Sequence, residues 1–441
     1  MNMDRRKYLN ILFLYDQYSV LTNTVKEYIE SFSLFSVHNI FYAHATNNAK
    51  CNFNLELFDV VIIHYSVRLC FDLLSPHYRE PLQNFNGFKV LFIQDEYDYT
   101  EITRTWIENL GIKAVFSCVP EQYLDLVYPK SRFPDVIFIS IITGFIPIEF
   151  ENKTTFKPLK ERELAINYRG RELAYWYGNL GREKLLIAQK MHQICEEKNI
   201  NSDIEWDDEK RIYGEQWYDF MENCRATLGT ESGSNVFDDY GNIRKNIQIA
   251  LQKNPSLTYE EIHQQYLAEH EGKVMMNQIS PRIFEAISLK TALILFEGNY
   301  SGIVKPELHY IPLKKDFSNI DDVLNKLQND DYLIQLTERA YQDIIRSGQY
   351  SYRKFIQDFD QVINECVPIG KGVSPFTIHE AENKQKNTIQ EIQYEIQYKL
   401  SEIIDMLLIS IKEKIKAKIQ SKFPRLWRWL KKLKQQRLAK I

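Results

Sequence analysis

Two successive series of short, continuously apolar runs, each run followed by a helical pattern, constrain this chain more than any other feature. The first contains Asn10–Tyr15 (NILFLY), Asn39–Ala43, Val60–His64, Lys89–Gln94 (KVLFIQ), Lys113–Ser117 and Val136–Ile142, with helical patterns at Val25–Phe32 and Glu101–Leu110. A strand apolar on both sides needs cover on both faces, whereas a half-solvated antiparallel strand would alternate apolar with polar. The runs therefore predict a parallel sheet between helices, with ligands bound at the carboxyl ends of its strands. Residues 149–163 lose periodicity and gain charge, as a linker does. The second series has strands at Leu164–Tyr168, Arg225–Gly229, Thr291–Phe296 and Leu308–Leu313. Its helices are predicted at Glu183–Asn199, after a Thr258-x-x-Glu261 capping box, at Pro281–Ser288 and at Asp321–Gln328, with more up to Cys366. The fold class expected is α/β, with two Rossmann-like domains facing a cleft. The first spans 1–150 and the second 160–370, followed by a helical tail at 376–441.

The length of 441 residues suffices for two full cores, and 44% apolar with 26% charged residues excludes wholesale disorder. Six cysteines lie far apart with no CxxC and no Cys/His pair at zinc spacing, which reads as buried thiols in a reducing compartment. The apolar stretch Ile11–Tyr15 is too short for a signal peptide, and the longest apolar run, Val136–Ile148, is broken by Gly144 and Pro147. A spanning helix needs about 20 such residues, so a cytoplasmic location is expected. The net charge of −4 hides an asymmetry: residues 411–441 carry net +11 and the rest of the chain −15.

Ser280-Pro281-Arg282-Ile283-Phe284-Glu285 opens a helix, with Ser280 as cap and Pro281 at a position where a missing N–H costs nothing. A cation such as Arg282 is unfavourable in a first turn unless an anion lies there, and a helix start offers amides to a phosphate. Glu285, a turn later, could accept two ribose hydroxyls. The plainer alternative is a surface Arg–Glu pair at i, i+3. Glu231, Ser232 and Gly233 follow the strand RATLG, where small residues form either an anion nest or an ordinary turn. In the first domain, His64 ends VVIIH, and Asp95 and Glu96 follow KVLFIQ. These three are the catalytic candidates, to orient or deprotonate an acceptor, although His64 reads equally as a satisfied half-buried histidine. The only D-x-D, Asp358-Phe359-Asp360, falls inside a helical run and reads as surface, so no metal and no cofactor is expected. No G-x-S-x-G, Walker A, HExxH or complete GxGxxG occurs, which leaves hydrolase, NTPase and nicotinamide readings without their motifs.

The segment SPRIFEAISLKTALILFEG, with HYIPLKKDFSNIDDVLNKL and SYRKFIQDFDQVI after it, resembles the donor-binding domain of GT-B-fold glycosyltransferases of the group-1 type, near the CgeB-like branch. INYRGRELAYWYGNLGREKLLIAQKM and LGTESGSNVFDDYGNIR agree, so the resemblance covers roughly residues 160–365. It implies a nucleotide diphosphate-sugar donor in the second domain and an acceptor in the first. Glu285 matches the second acid of the family's paired-glutamate motif, while its partner position holds Asn277. The family's diphosphate-binding Arg and Lys fall on Arg171 and Lys184, with Arg169 or Arg182 as alternatives because the usual spacing is shorter. Departure of a nucleoside diphosphate builds negative charge, and without a metal it needs preorganised cations and amides.

Apolar residues recur at three or four residues from Ile389 to Ile419, and RLWRWLKKLKQQRLAKI adds tryptophans among cations. Three uses compete: an in-plane helix on an anionic membrane surface through residues 411–441, homo-oligomerisation through 389–419, or nucleic-acid binding. The acidic body disfavours the last, so no nucleic-acid partner is expected. The expectation is a peripheral enzyme of the cytoplasmic membrane face. It transfers a hexose from a nucleotide-sugar donor to a glycan or lipid-linked acceptor in cell-envelope synthesis, with retention of configuration. The alternative is a non-catalytic two-lobed module that binds nucleotide sugar or glycan, scaffolded by its tail.

Overall fold

A computed structural model describes residues 8–20 and 22–379, so the stripe at 389–419 and the basic run 411–441 lie outside the described residues. The first lobe carries β1 (Asn10–Tyr15), β2 (Asn39–His44), β3 (Val60–Ile63), β4 (Phe88–Ile93), β5 (Ala114–Ser117) and β6 (Ile137–Ser140). All pair in parallel, in the order β2-β1-β3-β4-β5-β6. The second lobe carries β7 (Leu164–Arg169), β8 (Ser202–Glu205), β9 (Cys224–Gly229), β10 (Ala292–Phe296) and β11 (Ile311–Leu313), again parallel, in the order β11-β10-β9-β7-β8. This is the expected pair of Rossmann-like domains facing a cleft, the GT-B arrangement. Central strands such as Val60–Ile63 and Ala292–Phe296 are buried at every residue, as continuous apolar runs require. The order reverses direction at β1/β3 and again at β7/β9, and such switch points leave crevices at the carboxyl ends of the strands.

The helix Pro281–Ser288 has the expected bounds, because Pro at its first position fixes where it starts. Thr258 and Glu261 form the expected capping box. Ser280 stands at the cap position, but its side chain makes no cap hydrogen bond.

Two expected boundaries need correction. The helix Tyr352–Cys366 leaves the second lobe and packs on the first, burying Tyr352, Phe355, Ile356, Phe359 and Ile363 against Phe13, Tyr28, Phe32 and Phe92. The Phe145 and Phe355 rings stack at 4.4 Å. The second lobe therefore ends as a packing unit before residue 352, not at 370. Asp360 in that helix is not on the surface: it is buried and accepts hydrogen bonds from Ser36 Oγ (2.7 Å) and Val37 N (2.8 Å). Only Asp358 is exposed, paired with Lys354. Ile378 packs into the first lobe's core, so the segment through 379 belongs to the body rather than to a separate tail starting at 376.

The lobes share buried contacts. Val274 and Met276 of the second lobe sit in the first lobe's apolar core. Gln278 Nε2 donates to Cys118 O (2.6 Å), and Thr143 Oγ1 donates to Ile279 O (2.5 Å). Beside them, where Phe237 packs on Tyr97, Arg244 pairs with Asp98 inside a box of Phe71, Tyr99 and Trp176 rings 4.9–5.7 Å from its guanidinium. Arg104 reaches across to Asp239 (3.0 Å) beside it.

Candidate active site

Two adjoining cavities occupy the cleft. One, of about 470 Å³, lies at the carboxyl ends of β7 and β9 and the start of the helix Pro281–Ser288. Arg171, Lys184 and Arg282 all line it. Arg282 is wedged between the rings of Tyr168 and Trp217, with its guanidinium 5.1 Å from each centroid. None of these three cations makes a salt bridge among the described residues. Burial, and then the neighbouring Arg282 and Arg171 charges, push the Lys184 ammonium down to about 8. Three converging cations, none in a salt bridge among the described residues although Glu285 and Asp95 lie near enough to act on Arg282 and Lys184, give this cavity the electrostatics to receive a polyanion.

Lys184 supplies a pH test. Its folded-state value lies below the ordinary 10.5, so between about 8 and 10.5 the unfolded chain binds more protons, and this group's contribution to stability rises with pH. Anion binding runs the other way, because the charged form is the binder. Titration of pyrophosphate or a nucleoside diphosphate by calorimetry should show affinity falling as pH climbs from 7 to 9, a trend that Lys184→Met removes.

Glu285 lines the same cavity and is buried. Trp217 Nε1 donates to its Oε2 at 2.8 Å, and Thr24 of the first lobe holds it as well. Burial raises its carboxyl above the ordinary value. A carboxylate offers about four lone-pair sites, so capacity for ribose hydroxyls remains. Ser280 and Ser232 also line this cavity.

Several expected residues are committed elsewhere. Arg169 spends its donors on Lys210 O, Tyr168 O, Asp203 O and the Asp203 carboxylate (2.7 Å) and stacks on Phe220, so it fixes the end of β7 rather than a phosphate. Arg182 lies over Tyr259, outside the cavity. Glu231 is buried and accepts from the amides of Asn299 (2.7 Å) and Tyr300 (2.9 Å) and from Asn277 Nδ2 (2.5 Å); its carboxylate holds the loop after β10. Asn277, the stand-in for the first acid, is consumed by that contact. Gly233 has φ +100, and a Cβ there would lie 2.9 Å from Met276, so its smallness serves a turn against Met276 rather than a ligand.

The second cavity, of about 710 Å³, lies at the carboxyl ends of β1, β3 and β4 in the first lobe. Asp95 lines it, accepts from Tyr97 OH (2.8 Å), and is near enough to Lys184 to act on its charge. Glu96 is no base for this cavity. It is buried, with Oε1 taking hydrogen bonds from Ser117 Oγ (2.6 Å) and Cys118 N (2.8 Å), and burial pushes its carboxyl up to about 7. His64 also lines this cavity, at the carboxyl end of β3. It is wholly buried among Phe13, Tyr28 and Tyr65, with Nδ1 bonded to Ser66 and Nε2 unpartnered. Burial holds its imidazole well below the ordinary value, hence neutral. Tyr213 and Thr22 line both cavities, and neither they nor Trp217, Tyr168 and Thr24 are singled out by the sequence.

No helix among the described residues is long and apolar enough to cross a membrane. No protein-family model matches the chain, and no curated protein matches it. Among solved structures, the chain aligns with Anabaena Alr3699/HepE in complex with UDP-glucose at TM-score 0.48 and 10% identity, over 81% of this chain and 100% of that one. T4 phage BGT in complex with its UDP-glucose substrate aligns at TM-score 0.46 and 11% identity, over 81% and 99%. TarM aligns at TM-score 0.36 and 14% identity over 69% of this chain, which spans about half (54%) of TarM's length. Alignments this distant assign no activity to the chain.

Proposed function

We propose that this chain is a glycosyltransferase that takes a sugar from a nucleotide diphosphate donor held in the second lobe and passes it to an acceptor in the first. The observation that carries this reading is the uncompensated convergence of Arg171, Lys184 and Arg282 beside Glu285 at a strand-end crevice. The bond from the anomeric carbon to the β-phosphate oxygen breaks, leaving its electron pair on the nucleoside diphosphate. An acceptor hydroxyl oxygen bonds to the anomeric carbon, and its proton passes to the departing diphosphate oxygen. The three cations stabilise the leaving diphosphate without a metal, the role that preorganised donors play for developing anions. Glu285 holds the ribose. Asp95, between the cavities, orients the acceptor hydroxyl. Retention of configuration is part of the proposal and rests on the family resemblance; NMR of the product anomer tests it.

A thermal-shift series with UDP-, GDP-, CMP- and dTDP-sugars tests the reading. A donor at 100 times its dissociation constant adds about 2.7 kcal/mol to stability. One nucleotide class should stabilise the protein equally with and without EDTA. Stabilisation lost on chelation would remove the metal-independent mechanism, and silence from every donor would remove the donor assignment.

The tail is proposed as a peripheral anchor to the cytoplasmic membrane face, which brings the cleft to a lipid-linked or glycan acceptor of the cell envelope. The support is its net charge of +11 with Leu, Ile and Trp interleaved. Full-length protein should sediment with phosphatidylglycerol-containing vesicles at low salt, and a chain ending at residue 379 should stay in solution. Equal sedimentation would overturn the anchor. Self-association through 389–419 is the competing use, and sedimentation equilibrium without lipid distinguishes it.

A further inference from the structure

The two halves of the cleft are lined by opposite chemistry. The donor cavity is walled by Arg171, Lys184 and Arg282 with Thr230 and Ser232, whereas the cavity of the first lobe reaches the ends of both apolar cores of that lobe. Leu69, Leu91 and Ile93 come from one core and Phe92 from the other, and all four are buried side chains that line it. Val25 of the helix Asn23–Phe35 adds a further apolar wall. Several of the polar groups here are already spent. Gln94 Nε2 donates to Thr143 O (3.0 Å), Ser19 Oγ donates to Asp16 (2.6 Å), and Ser66 Oγ lies between Asp16 N (3.0 Å) and His64 Nδ1 (2.9 Å). Of the buried polar side-chain atoms on its lining residues, Thr103 Oγ1 and His64 Nε2 alone lack a partner among the described residues. Asp95 lines this cavity close enough to Lys184 of the other to act on its charge, which puts its carboxylate at the junction. A glycan carries a hydroxyl on most of its carbons, and each one buried here without a partner gives up its water for nothing. An aliphatic body gains from the same walls.

We propose that the acceptor is a lipid alcohol: its aliphatic body lies against Leu69, Leu91, Phe92 and Val25, and its hydroxyl reaches Asp95 and the donor's anomeric carbon. The sugar is then placed directly on the lipid rather than on a glycan. The cavity adjoins the donor site, and its volume of about 710 Å³ is in the range that a small amphiphile fills. Residues 411–441, net +11 with Leu, Ile and Trp interleaved, have the chemistry that holds a protein at the surface where such alcohols reside. This rests on the glycosyltransferase reading above, and the test separates the two. Calorimetry on the full chain measures 1,2-dihexanoylglycerol, the aromatic alcohol 4-methylumbelliferone and maltotriose, with UDP, GDP and dTDP titrated in parallel. Dihexanoylglycerol should bind at least about tenfold more tightly than either of the others. Leu69→Asn should weaken it about tenfold and the milder Val25→Thr about threefold. Nucleotide affinity should be unchanged in both, because neither residue lines the donor cavity. With the nucleotide sugar that stabilises the protein, mass spectrometry should find the sugar on dihexanoylglycerol. Maltotriose or 4-methylumbelliferone binding as tightly as dihexanoylglycerol, or silence from dihexanoylglycerol while a nucleotide binds, would overturn this inference and leave the donor reading standing. So would an unchanged dihexanoylglycerol affinity in both folded variants. Failure of all three nucleotides to bind would overturn the donor reading, and the acceptor role of this cavity with it, even if the lipid alcohol still bound.

Discussion

Replacing Arg282 with alanine should lower kcat/KM for sugar transfer on the order of 100-fold or more, the scale seen when one preorganised donor to a developing anion is removed. Arg282 is the most rigidly placed of the three cavity cations, sandwiched between Tyr168 and Trp217, so a water molecule cannot take over its position at equal cost. The variant should lose on the order of 1 kcal/mol of stability, because the contacts with Tyr168 and Trp217 are lost while repulsion on Lys184 is relieved. The Lys184 ammonium should move back towards its ordinary value, and the pH at which diphosphate affinity falls should move up with it. Steady-state kinetics paired with a melting curve separates these outcomes. Wild-type turnover in a folded Arg282→Ala protein would remove the diphosphate role from this helix.

The second large effect is on stability. Arg244→Ala should cost about 3–5 kcal/mol, because it leaves the buried Asp98 carboxylate without its partner. For a chain of 441 residues that is a fall of roughly 3–5 °C in Tm. Burial already outweighs the arginine's pull, holding the Asp98 carboxyl up at about 6. The sign of the pH dependence follows. A carboxyl raised above its unfolded value favours the folded state most at low pH, and that contribution is lost as pH rises through the folded value. Without Arg244 the value climbs further, so the penalty should be larger at pH 8 than at pH 5. Asp98→Asn in the Arg244→Ala background should recover part of the loss at pH 8. A penalty independent of pH would show that the aromatic box, not the ion pair, was lost.

What the sequence made legible follows from what each pattern encodes. Continuous apolar runs report burial on both faces, so the strands, the parallel sheets and the two lobes could all be read. Pro281 marked its helix start because its ring constrains backbone geometry locally. Side-chain direction at a strand end is a different matter. Asp95 and Glu96 are neighbours after the same strand, yet one reaches the cleft and the other is buried against Ser117 and Cys118, as alternation across a sheet dictates. Arg169 and Arg171 both line the cavity, but Arg169 spends its donors on Asp203 and nearby carbonyls, while Arg171 makes no salt bridge among the described residues. Proximity to a strand's carboxyl end selects such candidates, and only the three-dimensional partners choose between them. Trp217 and Thr24 escaped notice because they reach Glu285 from distant elements. The apolar stripe of Tyr352–Cys366 announced a buried face without saying which lobe would cover it.

That crossing helix also orders the birth of the molecule. On a ribosome, the first sheet emerges complete by Ser140, with its Phe13, Phe92 and Phe116, and Tyr28 and Phe32 of the helix beside it, still uncovered. The chain that covers it, Tyr352 to Cys366, arrives only after every strand of the second sheet has been made. The lobe made first is therefore finished last, and its exposed aromatic face is the surface a nascent-chain chaperone would occupy in the interval. A chain stalled before residue 352 should bind such a chaperone, and one extended past residue 366 should release it.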